Sequence, residues 1–307
     1  MNATNEYHVE LQNKILALKK QRNAVILAHY YQRAEIQEIA DFIGDSFGLA
    51  KQASETQADV ILFCGVHFMG ESAKILSPDK IVLIPDERAG CPMADMVDAP
   101  GLRRLKELHP DAQVVAYVNT SAAVKAETDI CCTSSNAVKV IQSIDAEKII
   151  WVPDKNLGHY VSQYTDKQMI IWDGYCNTHD RVMAEDVIKS KQLHPQAPVV
   201  VHPECRPEVV KLADYVASTA GIIQYCTASS EKEFIIGTEM GIEYILQRDN
   251  PDKTFHFVSQ QLVCPNMKVN NLKKVLNALE TMEPQIHVDP EIAEKARISL
   301  ERMLEVQ

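Results

Sequence analysis

Residues 199–219 read VVVHPECRPEVVKLADYVAST, and this stretch decides the fold. It opens with three β-branched residues, which are typical of a buried parallel strand. The chain then breaks at residues 202–204 (HPE) and continues through an apolar-periodic segment, which predicts a helix, to the hydroxyl of Thr219. In an open α/β sheet, a polar elbow of this kind lies at the carboxyl end of a strand, where ligands bind.

The same arrangement occurs three times along the chain. The other elbows are residues 29–31 (HYY) and 117–119 (YVN), so the elbows begin at 29, 117 and 202 and recur after 88 and 85 residues. Each elbow is followed at matching distances by an aspartate, a hydroxyl and one late cysteine, which predicts three repeats. These positions are Asp41, Asp129 and Asp214, then Ser46, Ser134 and Thr219, and finally Cys91, Cys176 and Cys264.

The repeats predict an α/β protein with three similar units. We expect unit one at 1–90, unit two at 91–176 and unit three at 177–285. A C-terminal helix at 286–307 is expected to pack back onto unit one beside the first helix. Three strands are expected in each unit, with a helix over 35–42 in unit one.

The bulk composition limits the classes of function. The chain of 307 residues is 46% hydrophobic and 24% charged, as in an ordinary folded protein. Its net charge of −11 argues against nucleic-acid or anionic-membrane partners. No apolar run approaches 18 residues and the first residues lack a signal-peptide pattern, so we expect a cytoplasmic protein. Neither a G-x-G-x-x-G nor a Walker A motif is present.

The late cysteines point to a metal centre. Packing about a pseudo-threefold axis would bring Cys91, Cys176 and Cys264 together, although zinc usually takes a fourth ligand and closer spacing. A [4Fe–4S] electron carrier uses four cysteines, whereas three leave one iron as an open Lewis acid. The count therefore favours a dehydrating enzyme, and a fourth ligand would reverse that interpretation. The remaining cysteines are interpreted as structural: Cys64, Cys131, Cys132, Cys205 and Cys226.

The other equivalent positions are candidates for binding and proton transfer. The three hydroxyls are expected at helix N-termini, which bind carboxylate or phosphate. The elbow side chains supply proton donors and acceptors. A raised pKa of Glu204 beside an anionic substrate would suit a general base. The elbow candidates are His29, Tyr31, Tyr117, Asn119, His202 and Glu204.

The chain resembles the quinolinate synthases, the NadA family of NAD biosynthesis, over essentially its full length. The resemblance implies three homologous αβα units with parallel sheets around a pseudo-threefold axis, and a central [4Fe–4S] cluster held by Cys91, Cys176 and Cys264. Some members carry C-x-x-C-x-x-C near the last ligand, whereas this chain has Cys264 alone, so thiol–disulfide regulation there is not implied. The stretches that carry the resemblance are AVILAHYYQ, ADFIGDS, CGVHFMGESAKIL, AYVNTSA, VPDKNLGHYV, VVHPEC, ASTAG and VCPNMK.

The resemblance also implies the reaction. Iminoaspartate (iminosuccinate) condenses with dihydroxyacetone phosphate, and phosphate and two waters leave as the pyridine ring of quinolinate closes. An enzyme that oxidises L-aspartate is the implied source of the imine. The implied catalytic residues are Tyr31, Tyr117, His202 and Glu204. The implied substrate-binding residues are His29, Ser46, Tyr117, Asn119, Ser134, His202, Glu204 and Thr219.

Two other functions stay open at this point. One is a cluster-dependent hydro-lyase that acts on a hydroxy acid without any condensation. The other is an iron or oxygen sensor that responds to cluster loss, which the lack of a basic nucleic-acid surface disfavours. The sequence determines neither the oligomeric state nor the order of proton transfers.

Overall fold

The computed structural model describes residues 3–306, with the side chains of residues 7–306, and contains one sheet pattern three times. Each repeat supplies a four-stranded sheet in which the strand order is second, first, third, fourth and all neighbours are parallel. The strands are β1 (Ala24–His29), β2 (Phe42–Gly44), β3 (Val60–Cys64), β4 (Ile81–Leu83), β5 (Gln113–Tyr117), β6 (Ile130–Cys132), β7 (Lys148–Val152), β8 (Gln168–Ile171), β9 (Val199–Val201), β10 (Tyr215–Val216), β11 (Glu233–Gly237) and β12 (Thr254–Phe257).

Helices connect the strands, as parallel pairing requires. They cover both faces of the central strands, so those strands are almost wholly buried and read as continuous apolar runs. The predicted fold class, α/β with three αβα units, is confirmed. The helices are α1 (Ala3–Gln21), α2 (Ala34–Gln37), α3 (Ser46–Glu55), α4 (His67–Leu76), α5 (Ala99–Leu108), α6 (Ala122–Lys125), α7 (Ala137–Ser143), α8 (Lys155–Ser162), α9 (Ala184–Leu193), α10 (Pro207–Val210), α11 (Thr219–Ala228), α12 (Glu243–Asp249), α13 (Leu272–Thr281) and α14 (Pro290–Glu305).

A repeated aspartate ties each short helix back to the first strand of its unit. The carboxylates of Asp41, Asp129 and Asp214 accept backbone N–H groups of β1, β5 and β9 at 2.8, 2.7 and 2.8 Å. The backbone N–H of each aspartate donates to the carbonyl of the same strand residue, at 2.9, 3.1 and 2.8 Å. We call this paired contact the aspartate clasp. It explains why an aspartate recurs at a fixed distance from each elbow, and its role is structural.

The expectation of three strands per unit was wrong, because each unit has a fourth. The helix expected over 35–42 and the apolar segment over 209–216 both end after four residues, as α2 and α10. The aspartate clasp returns the chain to the sheet at that point. The residues after it then pair with the first strand as the short edge strands β2, β6 and β10.

The C-terminal helix packs differently from the prediction. The main partner of α1 is α13, whose Leu272 and Val275 share a buried cluster with Leu11 and Ile15 of α1. That face of unit one is therefore covered by α13, and packing of the last helix beside the first was wrong. Instead, α14 packs on α6 and β6 of unit two and on α4 of unit one.

The three sheets fall one in each predicted unit, with strands between 24 and 83, 113 and 171, and 199 and 257. The unit boundaries themselves stay a prediction. The loop after each fourth strand carries a late cysteine and is grouped below with the sheet that precedes it, so Cys91 is counted with unit one, Cys176 and His179 with unit two, and Cys264 with unit three. Within residues 3–306, none of the helices combines the length and apolar character needed to cross a bilayer.

Asp129→Ala should lower the free energy of unfolding by about 1–2 kcal/mol, because it leaves the partly buried N–H of Val114 without its acceptor. Urea or thermal unfolding measures this loss. Asp145→Ala, at an exposed position in the same unit, is the matched control and should change stability by less than about 0.5 kcal/mol. Equal stability of the two variants would refute the role of the clasp.

Candidate active site

A cavity of about 180 Å³ lies where the carboxyl ends of the three sheets meet. A single water molecule needs roughly 10–15 Å³ by the same measure, so the cavity has room for a small organic molecule or a cofactor. All twelve residues predicted for the site line this one cavity, and their individual roles stay predictions. They are His29, Tyr31, Ser46, Cys91, Tyr117, Asn119, Ser134, Cys176, His202, Glu204, Thr219 and Cys264.

Each late cysteine precedes one turn of 3-10 helix, and the three turns are Ala94–Met96, His179–Arg181 and Met267–Val269. Backbone N–H groups of these turns point at the sulfur atoms and favour the thiolate. Burial acts in the opposite direction and prevails: it raises the pKa of all three thiols, that of Cys91 to about 12. A bound metal would reverse this balance, since a coordinating thiol is deprotonated.

The spacing of the thiols bears on which metal group they fit. Three thiolates on one zinc ion would stand only ~4 Å apart, given a Zn–S distance of ~2.3 Å. Among the described residues, two groups place three ligand atoms within 4.8 Å of one another, and neither group consists of the three late cysteines. Thiolates that bind different irons of one cluster stand further apart, so this donor set fits a cluster better than a single ion. The two close groups are Cys176, His179 and Glu204, and His194, Glu233 and His256.

Two buried carboxylates hold the cysteine loops of units two and three. The side chain of Asp154 accepts the backbone N–H of Cys176 at 3.0 Å, and that of Glu239 accepts the N–H of Cys264 at 2.9 Å. Both acids lie two residues after the third strand of their unit, and the equivalent residue in unit one is Val66. Sequence reasoning missed both, although their separation equals the repeat period of 85 residues.

His29 and His202 each accept a backbone hydrogen bond of the same kind, which fixes the tautomer of each ring. In each, Nδ1 accepts the backbone N–H two residues later, from Tyr31 at 3.1 Å and from Glu204 at 3.3 Å. The ring proton therefore sits on Nε2, which in His202 lies 3.2 Å from the Ser134 hydroxyl. Burial lowers the pKa of both histidines to about 3, so both are neutral Nε2–H donors near pH 7.

A buried chain of hydrogen bonds joins Glu204 of unit three to Tyr31 of unit one through His179 and Thr238. The Nδ1 atom of His179 lies 2.7 Å from a Glu204 carboxylate oxygen, and its Nε2 lies 2.9 Å from the Thr238 hydroxyl. The Tyr31 hydroxyl lies 2.8 Å from those of both Thr238 and Thr219. The imidazole of His179 and the hydroxyls of Thr238 and Tyr31 can each donate and accept, so the chain can relay a proton between the Glu204 carboxylate and the Tyr31 phenol.

Comparison with known proteins identifies the family. The family model described as "Quinolinate synthetase A protein" matches residues 13–305. The chain belongs to the quinolinate synthase family. A relative named quinolinate synthase from Methanosarcina barkeri (strain Fusaro / DSM 804) is 57% identical over 298 residues, which cover 97% of this chain and 98% of the relative. Another quinolinate synthase, from Geobacter sp. (strain M21), is 55% identical over 296 residues, which cover 96% of this chain and 97% of the relative.

In this quinolinate synthase family site the pKa of Glu204 is lowered, whereas the sequence suggested a raised one. Burial raises its pKa, but His202, His179 and the Tyr117 hydroxyl outweigh burial and bring the pKa below its ordinary value. The neighbouring Asp154 has its pKa raised by burial and by the charge of Glu204. The protein's own groups therefore keep the negative charge on Glu204, and this lowered pKa makes its carboxylate a weaker base than an ordinary glutamate.

The three repeated hydroxyls do not occupy equivalent places. Ser46 and Thr219 are the first residues of α3 and α11, as expected. Ser134 instead lies in a turn before α7, so the expectation of a third helix N-terminus was wrong. The reason is that the Asn136 carboxamide accepts the backbone N–H of Thr133 at 2.8 Å and closes a turn there.

The sequence pattern did not indicate His179 or Thr238, because that pattern consists of residues that recur in all three units. His179 is part of a C-x-x-H pattern with Cys176, and the same place holds Ala94 in unit one and Met267 in unit three. A pattern that occurs in one unit alone carries no repeat signal. The fact that could have identified His179 is its position in the turn that follows a proposed ligand.

Lowering the pH from 7 to 5 should destabilise the fold by roughly 2 kcal/mol through His202 alone. Its pKa is about 3 when folded and near 6.5 ordinarily, so between these values the unfolded chain binds more protons and stability falls with pH. Urea unfolding at both pH values measures the slope of the free energy of unfolding against pH. His202→Gln should flatten it, whereas His287→Gln, at an exposed position, should leave it unchanged. Identical slopes in all three proteins would contradict the neutral assignment.

Proposed function

We propose that this chain synthesises quinolinate in the de novo pathway to NAD, from iminoaspartate and dihydroxyacetone phosphate. The sum of the two substrates equals quinolinate plus inorganic phosphate and two waters, so no oxidant or reductant is needed. The observation that supports the proposal best is the meeting of elbow residues from all three units on one cavity, in a chain that matches the family over residues 13–305.

We propose that Cys91, Cys176 and Cys264 hold a [4Fe–4S] cluster at this cavity. Their half-buried thiols and the backbone N–H groups aimed at them support a cluster with one thiolate from each unit. When bound, such a cluster supplies an open iron that acts as a Lewis acid and assists loss of water. The loops that would carry the ligands are anchored by Asp154 and Glu239.

The protein's own groups would bind the substrates and move the protons. Ionised Glu204 is the base: His179 holds its carboxylate at 2.7 Å, and a negatively charged substrate beside it would raise its lowered pKa towards the working pH. The neutral rings of His29 and His202 donate their Nε2–H groups to substrate oxygens. Tyr31 returns protons through the relay that joins it to Glu204. Tyr117 and Asn119 hold the intermediate, and the Asn119 carbonyl oxygen is buried without a protein partner among the described residues.

The three repeated hydroxyls, of Ser46, Ser134 and Thr219, bind the anionic groups of the substrates. Ser46 and Thr219 stand at the positive ends of ten-residue helices, where carboxylate or phosphate is stabilised. Ser134 acts with His202, to which its hydroxyl is hydrogen-bonded. This set also removes the difficulty that a chain of net charge −11 poses for anionic substrates.

Supply of the imine and cellular location are parts of the same proposal. Iminoaspartate is a hydrolysable imine, so an enzyme that oxidises L-aspartate is the proposed source and a candidate partner. All eight cysteines are unpaired, which suits the reducing cytoplasm. The direct test is anaerobic incubation of the loaded protein with both substrates and detection of quinolinate. Dehydration of a hydroxy acid alone, without quinolinate, would favour the hydro-lyase instead.

Glu204→Gln should lower kcat by about 10²–10⁴-fold, because the amide cannot accept the proton that the carboxylate takes. The visible absorption of the cluster should be unchanged, since Glu204 is not one of the proposed ligands. Glu208→Gln, four residues later and exposed, is the matched control and should retain activity. Full activity of Glu204→Gln would remove this residue from the mechanism.

Cys176→Ala should abolish bound iron and acid-labile sulfide after anaerobic reconstitution, because two thiolates do not hold the cluster. Cys226→Ala, which changes a cysteine outside the cavity, should retain both. Chemical iron and sulfide assays on the two variants measure this difference. A normal iron content in Cys176→Ala would refute the proposed ligand set.

A further inference from the structure

The charges around the cavity are unevenly distributed. Three carboxylates, of Asp45, Glu204 and Glu239, line it, but Arg181 is the single lysine or arginine among the described lining residues. The chain as a whole carries a net charge of −11. A phosphate monoester carries about −1.5 to −2 at pH 7, so its approach to such a surface is opposed unless a local cation attracts it.

Arg181 is the one arginine near this cavity whose charge is not neutralised by a neighbour. Its side chain is exposed, and it takes part in none of the hydrogen bonds or ion pairs among the described residues. The nearby Arg206 differs, because both ends of its guanidinium bind Asp180, at 2.7 Å to the carbonyl and 2.8 Å to the carboxylate. The cavity mouth therefore carries a free guanidinium.

The backbone below Arg181 is nevertheless fixed. Arg181 ends the turn His179–Arg181, which the N–H of Val182 closes by donating to the His179 carbonyl at 3.1 Å. Val182 itself is fully buried in the core of unit three. An exposed, unpaired side chain on an anchored backbone suits a group that binds a ligand at the mouth of a cavity.

We propose that Arg181 binds the phosphate group of dihydroxyacetone phosphate at the cavity mouth, an inference that rests on the proposed function. A guanidinium matches phosphate oxygens with two parallel hydrogen bonds, and the phosphate carries more charge than either carboxylate of the imine. Phosphate is also the group that must leave for solvent. Arg181 is exposed, whereas His202, Glu204 and Thr219 are buried, so it lies on the exit side of the site.

The test compares Arg181→Gln and Arg181→Lys with Arg103→Gln in the cluster-loaded enzyme. Arg103 is an exposed arginine of α5 that pairs with Glu127 outside the cavity, so its variant changes the net charge equally. Arg181→Gln should raise the KM for dihydroxyacetone phosphate about tenfold, with kcat within about twofold, as expected for loss of a hydrogen bond to a charged group. Arg181→Lys should raise this KM about threefold, because the positive charge remains but the two parallel N–H donors of the guanidinium are lost.

Two further readouts separate this inference from the proposed function. Calorimetric titration with inorganic phosphate needs no turnover, and Arg181→Gln should bind phosphate about tenfold more weakly than Arg103→Gln. Raising the salt from about 50 to about 200 mM should raise the KM of the wild type more than that of Arg181→Gln. Absence of quinolinate from the wild type would defeat the proposed function, whereas phosphate binding that is equal in both variants would defeat the role of Arg181. A rise in KM for the imine alone would also defeat it.

Discussion

The site depends on hydrogen bonds that cross from one unit to the next. Every unit ends its first strand at the cavity, but a cavity of defined shape forms only if the three units keep their mutual register. Buried or half-buried side-chain contacts at each junction supply that constraint, since an unpaired polar group there would be costly. The contacts are Tyr31 with Thr219, Ser134 with His202, and Asp45 with Ser135.

The three-unit framework is nearly symmetric, but the chemistry placed on it is not. Each unit contributes an elbow and a thiol. An anchoring carboxylate is present only in units two and three, and Val66 takes its place in unit one. His179 adds an imidazole in unit two alone, and it joins Glu204 to the relay. Asymmetry of this kind is what a site for two different substrates requires, since one end must bind a dicarboxylate and the other a phosphate ester.

The sequence was most informative where one requirement recurs in every unit. The elbows at 29, 117 and 202 follow buried strands, and parallel strands place them on one edge, so their convergence could be predicted. His179 was not predictable by the same reasoning, because its role depends on contacts with Glu204 and Thr238 that lie far away in sequence. The edge strands and the place of Ser134 were missed because local hydrogen bonds, the aspartate clasp and the Asn136 turn, override apolar periodicity.

We propose that one thiolate from each unit binds a shared iron–sulfur cluster in which one iron has no protein ligand. The most direct measurement is the Mössbauer spectrum of anaerobically reconstituted protein, with iron and sulfide counted on the same sample. We expect four irons and four sulfides per chain, and one iron in four with Mössbauer parameters distinct from those of the three thiolate-bound irons. Four equivalent irons, or fewer than three irons per chain, would contradict it.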